Sequence, residues 1–212
     1  MIPSKDITGL ILAGGRGTRM GGVDKGLQLF NGQPLAWQVW QRLRPQVGPC
    51  MLNANRSLDV YQQWGLPVHT DVLPDYAGPL AGLLTGLHHC NTNWLLSVPC
   101  DSPCFPSDLA QRMAAVAHAE NAAIVLACAA ESGRDGQVQW RPQPVFALVH
   151  ASLRNSLQAF VMQGGRKIDA WTQQHQQALC RFDAVHDCPH AFANANTLHE
   201  LQTLEQLARS TD

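Results

Sequence analysis

The sequence predicts an α/β protein: a mostly parallel but mixed sheet covered by helices on both faces, in three layers and one domain spanning residues 1–212. Three observations lead there. Short apolar runs alternate with stretches of helical periodicity. The first run, Ile7 to Leu12, passes directly into a glycine-rich loop, as the strand-end loops of open α/β sheets do. A chain of 212 residues, 45% hydrophobic and only 15% charged, is large enough to bury a substantial core.

Taken in order, Ile7 to Leu12 is the first strand, and Pro34 to Val47 a helix with Leu35, Val39, Trp40 and Leu43 at helical spacing. A strand at 50–52, a helix at 58–64 and a strand at 67–71 follow. Next come a helix at 80–89 and a buried strand at 94–98, which Pro99 and Pro103 terminate. Ser107 is placed to cap a helix reaching His118, and 124–129 reads as a strand before a polar turn at 131–136. Beyond it lie a strand at 145–149, helices at 153–162 and 168–174, and a strand at 179–185. Thr197 and Glu200 form a capping box for a closing helix with Leu198, Leu201, Leu204 and Leu207 on one face. The pattern is that of a Rossmann-like fold.

Composition excludes several functions. A formal charge of −1 gives no global field toward nucleic acid or an anionic membrane, so any polyanion must meet a local cluster of cations. Seven scattered cysteines, an odd number with no basic apolar leader before them, point to a reducing cytoplasm rather than a disulfide framework. No apolar run approaches the roughly 18 residues of a membrane span. Nothing demands a dimer, and a monomer is expected.

Residues 10–26, LILAGGRGTRMGGVDKG, hold six glycines and three long cations. Two familiar phosphate motifs fail here. Gly15-Arg16-Gly17-Thr18-Arg19 meets Met20 where a dinucleotide fingerprint needs glycine, and Lys25 lies between Asp24 and Gly26 rather than in a Gly-Lys-Ser/Thr sequence. What remains is either a plain surface turn or a loop whose bare backbone N–H groups approach phosphate oxygens, with Arg16, Arg19 and Lys25 adding full charges. The second reading fits the loop's place at a strand's carboxyl end.

A second candidate is Asp101, delivered by the run Leu95-Leu96-Ser97-Val98-Pro99-Cys100 to the same edge of the sheet. Mg²⁺ commonly takes one or two carboxylates plus phosphate oxygens, so Asp101 can hold the ion on a triphosphate; it can also simply form a turn before Ser102-Pro103. Cys100 and Cys104 lack the further ligands of a zinc site. Two matching tripeptides, Asn53-Ala54-Asn55 and Asn194-Ala195-Asn196, put carboxamides at strand ends, where they can orient a base or phosphate or can hold turns. Asp71 ends another strand. Gly78-Pro79-Leu80-Ala81-Gly82 offers either a helix N-terminus near a ligand or a helix start packed closely on the sheet.

Together these stretches resemble the molybdenum cofactor guanylyltransferases, members of the glycosyltransferase-A-like nucleotidyltransferases. The resemblance is carried by Leu12 to Lys25, Asn53-Ala54-Asn55-Arg56, Gly78 to Gly82, Pro99 to Pro103 and Asn194-Ala195-Asn196-Thr197, in that order, and spans residues 7–207. It implies a nucleotide-diphospho-sugar transferase type of fold and transfer of GMP from GTP to Mo-molybdopterin, with release of pyrophosphate. It also implies that Leu12, Ala13, Gly14, Gly15, Lys25, Asn53, Asp71 and Asp101 bind the nucleotide, and that Asp101 holds Mg²⁺. Arg19, Lys25 and Asp101 would be the catalytic residues, the arginine stabilising the leaving pyrophosphate. Arg166, Lys167, Asn194 and Asn196 are the candidates for the pterin side, which places GTP and metal in the N-terminal half and molybdopterin in the C-terminal half. Acceptor molybdoenzymes or their chaperones are further partners such an enzyme implies.

Two rivals remain: a cytidylyltransferase making the cytosine dinucleotide, and a non-catalytic molybdopterin carrier. Gly14 stands where the cytidylyl group typically has an alanine that narrows the base pocket, which favours the larger purine. A carrier would not need Asp101 or the loop cations. The chain departs from the family at Leu198, where a proline is common, and at Cys104, where an aromatic or aliphatic residue is usual.

Overall fold

The computed structural model of the chain describes residues 1–15, 23–73, 78–132, 137–185, 187–195 and 197–209. Its elements are β1 (Ile7–Leu12), the two-residue strands β2 (Leu29–Phe30) and β3 (Gln33–Pro34), α1 (Leu35–Leu43), β4 (Cys50–Asn53), α2 (Leu58–Gln62), β5 (Val68–His69), α3 (Pro79–His89) and β6 (Trp94–Pro99). Then follow α4 (Leu109–Ala119), β7 (Ile124–Ser132), β8 (Val138–His150), α5 (Arg154–Met162), α6 (Ile168–Thr172), β9 (Gln177–Phe182) and α7 (Leu198–Arg209). The main sheet has the order β5-β4-β1-β6-β8-β7-β9, and within it β8 alone runs against the others. The mostly parallel, mixed sheet expected from the sequence is therefore present.

Alternation along β1 shows how the layers arise. Ile7 and Ile11 enter one core with Val39 and Leu43 of α1, Tyr61 of α2 and Met113 of α4. Leu10 points the other way, to Leu83 and Leu87 of α3, Leu157 of α5 and Trp171 of α6. A side chain period of two thus feeds both helical layers from one strand. Leu201 and Leu204 of α7 close a smaller cluster over Phe30 and Leu35. Thr197 and Glu200 do form the capping box: Glu200 N donates to Thr197 Oγ1 at 3.1 Å, and Thr197 N donates to Glu200 Oε2 at 3.2 Å.

Helix α3 lies against the sheet through two glycines one turn apart. A Cβ on Gly86 would stand 2.4 Å from Leu10 Cδ2 and 2.9 Å from Leu95 Cδ2, and one on Gly82 would stand 2.4 Å from Asn53 Oδ1. Close packing is therefore the reason for this Gly-Pro-Leu-Ala-Gly segment, and Gly78, at φ +130°, starts the helix in a conformation that favours glycine.

Two features depart from the sequence reading. The strands expected at 124–129 and 145–149 are the inner ends of a long β7–β8 hairpin. Residues 138–142 of its outer arm are all exposed, so no burial alternation marks them, and Pro142 and Pro144 look like loop residues. Between the pairs Leu126–Ala147 and Ala127–Gln143 the register jumps, and residues 144–146 bulge out of the ladder. The β2–β3 hairpin was not anticipated either, although Asn31-Gly32, at φ 48° and 79°, is the turn pair that favours such hairpins. Smaller shifts end α1 at Leu43 and place β9 two residues earlier, with Ala178, Cys180 and Phe182 facing in.

Packing at α3 yields a stability prediction. Alanine normally favours a helix over glycine by about 1 kcal/mol, but Leu10 and Leu95 are fully buried and cannot yield. Gly86→Ala is expected to lower unfolding free energy by about 1–2 kcal/mol, the overpacking cost exceeding the propensity gain. Chemical denaturation of the two proteins checks it, and a stabilised variant would disprove this packing account.

Candidate active site

Parallel strands deliver their carboxyl ends to one edge, and at that edge lies a cavity of about 670 Å³. Leu12, Ala13, Gly14, Gly15 and Lys25 line it from the first strand and its loop, and Asn53 and Asp71 from β4 and the turn after β5. Asp101, just beyond β6, and Asn194 complete the side opposite. The loop after β1 and the carboxylate after β6 thus converge on one space.

Lys25 opens a short 3-10 turn whose first N–H groups are capped by Asp24: Gly26 N donates to Asp24 Oδ1 at 3.1 Å. The same oxygen accepts the Tyr61 hydroxyl at 2.8 Å. Burial, and then the neighbouring Asp24 carboxylate, push the Tyr61 phenol far above its usual range, so it stays protonated and donates. A Cβ on Gly26 would stand 2.4 Å from the Tyr61 hydroxyl oxygen, so this approach requires glycine. From this base Lys25 Nζ reaches Asp101 Oδ2 at 3.0 Å, with both side chains about four-fifths buried.

Arg56 acts on the same loop. Its guanidinium donates to Gly15 O at 2.8 Å and to Val23 O at 3.2 Å, joining the two described ends of the glycine segment. Arg56 ends the Asn53-Ala54-Asn55-Arg56 motif, and its reach to the glycine segment is visible only in the fold.

The first pair of asparagines holds a carboxylate. Asn53 Nδ2 donates to Asp71 Oδ1 at 2.9 Å and to His69 O at 3.2 Å, while Asn55 Nδ2 donates to Asp71 Oδ2 at 2.8 Å. Asp71 N returns a bond to Asn55 Oδ1 at 2.9 Å. Gly14 lets the end of β1 lie against this network, since its Cβ would stand 3.0 Å from Asn53 Oδ1 and 3.1 Å from Asn55 Nδ2.

On the other side, Cys100 N donates to Leu12 O at 3.1 Å, carrying the β1–β6 pairing into the turn. Asp101 O accepts Ala195 N at 2.9 Å, and Ser102 Oγ donates to Asn194 Oδ1 at 2.6 Å, so the second asparagine segment is tied directly to the loop of Asp101. Burial, and then the charge of Asp101, push the Cys100 thiol well above its usual range, which leaves it a poor nucleophile.

Arg166 and Lys167 do not join this constellation: they lie between α5 and α6, outside the lining of the cavity. Arg19 and Asn196 fall outside the described residues. The sequence reading missed the bulge of β8, which contributes residues 143–146 to the wall; two prolines bracketing Gln143 were the only hint. Among the described residues no group of three or more His, Cys, Asp or Glu side chains is close enough to cage a metal. A cation here would lean on Asp101 and on oxygens brought by the ligand, a coordination that suits Mg²⁺. No described helix is long and apolar enough to cross a membrane.

One ammonium, Lys25, and two carboxylates, Asp71 and Asp101, thus gather around a cavity at the strand ends, and the comparisons give the family. Residues 9–179 match the MobA-like NTP transferase domain. A molybdenum cofactor guanylyltransferase from Acidovorax ebreus is 60% identical over 208 residues, covering 98% of this chain and 99% of its own. One from Ralstonia nicotianae is 52% identical over 206 residues, with 97% and 99% covered. Among solved structures, molybdopterin-guanine dinucleotide biosynthesis protein A from Archaeoglobus fulgidus superposes with a TM-score of 0.77 at 18% identity, over 96% of this chain and 99% of that one. With sequence match, fold and strand-end cavity in accord, the chain belongs to the MobA-like NTP transferase family of nucleotidyltransferases.

Proposed function

We propose that the protein transfers GMP from GTP to the terminal phosphate of molybdenum-bearing molybdopterin, forming the guanine dinucleotide cofactor and releasing pyrophosphate. One observation carries the chemistry: Lys25 and Asp101, 76 residues apart in sequence, meet at 3.0 Å beside the loop that follows β1. The guanine assignment follows the names of the relatives.

An oxygen of the acceptor phosphate attacks the α-phosphorus of GTP; that P–O bond forms as the bond to the bridging oxygen of pyrophosphate breaks, and the electron pair leaves with pyrophosphate. The nucleophile is already anionic, so no general base is required. The barrier lies in bringing mutually repelling anions together, and positioned charges lower it. Lys25 supplies an ammonium at the phosphates, and Arg56 steadies the loop from which it projects. Asn53 and Asn55 fix the Asp71 carboxylate toward the nucleoside side. Asp101 fits a divalent ion that is otherwise bound by phosphate, and Mg²⁺ there would draw off charge from the triphosphate and the departing pyrophosphate. The contact between Lys25 and Asp101 holds each side chain in place. Arg19, on the glycine loop, is assigned to the leaving group. In this reading one domain divides its labour, nucleotide and metal on the N-terminal half and pterin on the C-terminal half, and acts as a monomer in the cytoplasm, where its seven free thiols are stable.

Pyrophosphate release, assayed with a panel of nucleotides and molybdopterin as acceptor, should require GTP and Mg²⁺ and stop with a chelator. Equal turnover with CTP would remove the guanine assignment, and binding without pyrophosphate from any nucleotide would favour a carrier. Asp101→Ala is expected to abolish turnover while the unfolding midpoint stays near that of the parent; a folded variant with near-normal activity would refute the metal role. Lys25→Ala should lower kcat by about 10²–10³, the usual effect of losing one oriented charge stabiliser, as steady-state kinetics would report.

A further inference from the structure

Asp71 reaches the strand-end cavity from the weakest edge of the sheet. There β5 pairs with β4 over two residue pairs, Leu52–Val68 and Asn53–His69, and Ala54 N closes the ladder by donating to His69 O at 3.0 Å. We infer that α3 clasps this edge: Thr85 and His89, one turn apart on the helix, grip residues 72 and 69 and so position Asp71, which lies between them, for the nucleotide. The clasp rests on the geometry; its purpose rests on the reading of Asp71 as a nucleotide-binding residue.

The first grip is a hydrogen bond. Val72 N donates to Thr85 Oγ1 at 3.0 Å, and the same hydroxyl donates to Ala81 O at 2.9 Å, so its proton is committed to the helix and its oxygen is turned toward the strand. Thr85 is fully buried. The second grip is a ring stack: the imidazoles of His69 and His89 lie 3.7 Å apart between centroids, with their planes 12° from parallel. Residues four apart on a helix share a face, so both grips act from one side of α3. The helix is itself seated closely on the sheet, where Gly82 and Gly86 meet Asn53, Leu10 and Leu95. With the backbone held on both sides of Asp71, Asn53 and Asn55 then orient its carboxylate.

The stack also gives the clasp a pH dependence. Burial, and then the His89 ring, hold the His69 imidazole below its ordinary range, so it is neutral at pH 7. Neutral rings stack, whereas two imidazolium ions at this separation repel. Because the fold favours the neutral form, the grip is complete above the ordinary imidazole value of 6.5 and is lost as pH falls through the lowered value of His69. Few other groups titrate around the pair. From β4 comes the Cys50 thiol, pushed up to about 11 by burial and acted on in turn by Arg44, so it stays neutral. From α2, packed on β5 in the other helical layer, come exposed Asp59 and buried, protonated Tyr61. His88 adjoins His89 in sequence and points off its face of the helix. Among the described residues, no lysine, arginine or carboxylate lines the cavity of about 300 Å³ beside the stack.

Calorimetric titration of the full-length protein with GTP and Mg²⁺ tests the clasp. At pH 7.5 affinity should be about fivefold weaker in His89→Ala, the usual worth of one ring pair, and close to the parent's in His89→Phe, which keeps a ring to stack on. Between pH 7.5 and 5.5 the parent should lose severalfold more affinity than His89→Phe, whose ring cannot charge; protonation of GTP itself is common to both. Thr85→Val should weaken binding about tenfold and Thr85→Ser restore it. His89 is exposed at the end of α3, so its variants should keep the parent's unfolding midpoint. Without any nucleotide, amide hydrogen exchange at Ala54, whose N–H donates to His69 O, should quicken severalfold in His89→Ala and not in His89→Phe. Equal affinity in the parent and His89→Ala, or one pH dependence shared by the parent and His89→Phe, would overturn the clasp. If the parent binds no GTP while Ala54 exchange follows the expected order, the clasp stands and the nucleotide reading falls; if that exchange is unchanged as well, both fall.

Discussion

Parallel pairing of β1 with β6 is the constraint on which the site depends. Six residue pairs run from Ile7–Trp94 to Leu12–Pro99, and one more bond, Cys100 N to Leu12 O, continues the ladder into the turn. Because the strands point the same way, whatever follows each of them must emerge at the same edge. The first strand is followed by the glycine loop and Lys25, the second by Asp101. Reversing either strand would leave the same residues at opposite ends of the sheet.

Charge held at that edge adds little net stability. Lys25 and Asp101 are about four-fifths buried, and removing such a pair from water costs roughly what their attraction returns. The supports behind them are more plainly structural. Asp24 caps the turn of Lys25 and takes the Tyr61 hydroxyl, Arg56 ties the ends of the loop, and Asn53 and Asn55 pin Asp71. Each of these bonds also fixes the direction of the groups that make it, which limits how far the site can reorganise.

Glycine serves three separate purposes around this site. Gly78 takes a positive φ at the start of α3, Gly82 and Gly86 bring that helix onto the sheet, and Gly14 and Gly26 admit neighbouring side chains where a Cβ would collide. In the last four the need is for space rather than flexibility. A tight approach of α3 to β1 and β4 also fixes Asn53, whose carboxamide oxygen lies where a Cβ of Gly82 would have to be.

Most of the fold was legible in the chain because burial writes itself into the sequence. The runs 7–12, 94–98 and 124–129 are apolar since both faces are covered, and α7 announces its start through Thr197 and Glu200. Hidden from that reading was the outer arm of β7–β8, where exposure leaves no apolar pattern, and the bulge at 144–146, which is a property of register between two strands. Residue types and their positions at strand ends were sequence information, and they sufficed to nominate Lys25, Asp71 and Asp101. That Lys25 meets Asp101, that Arg56 bridges Gly15 and Val23, and that Arg166 and Lys167 lie away from the cavity were decided by tertiary structure alone. A local pattern records which backbone state and which degree of burial a residue prefers; distances between groups tens of residues apart are set only when strands choose their neighbours and direction.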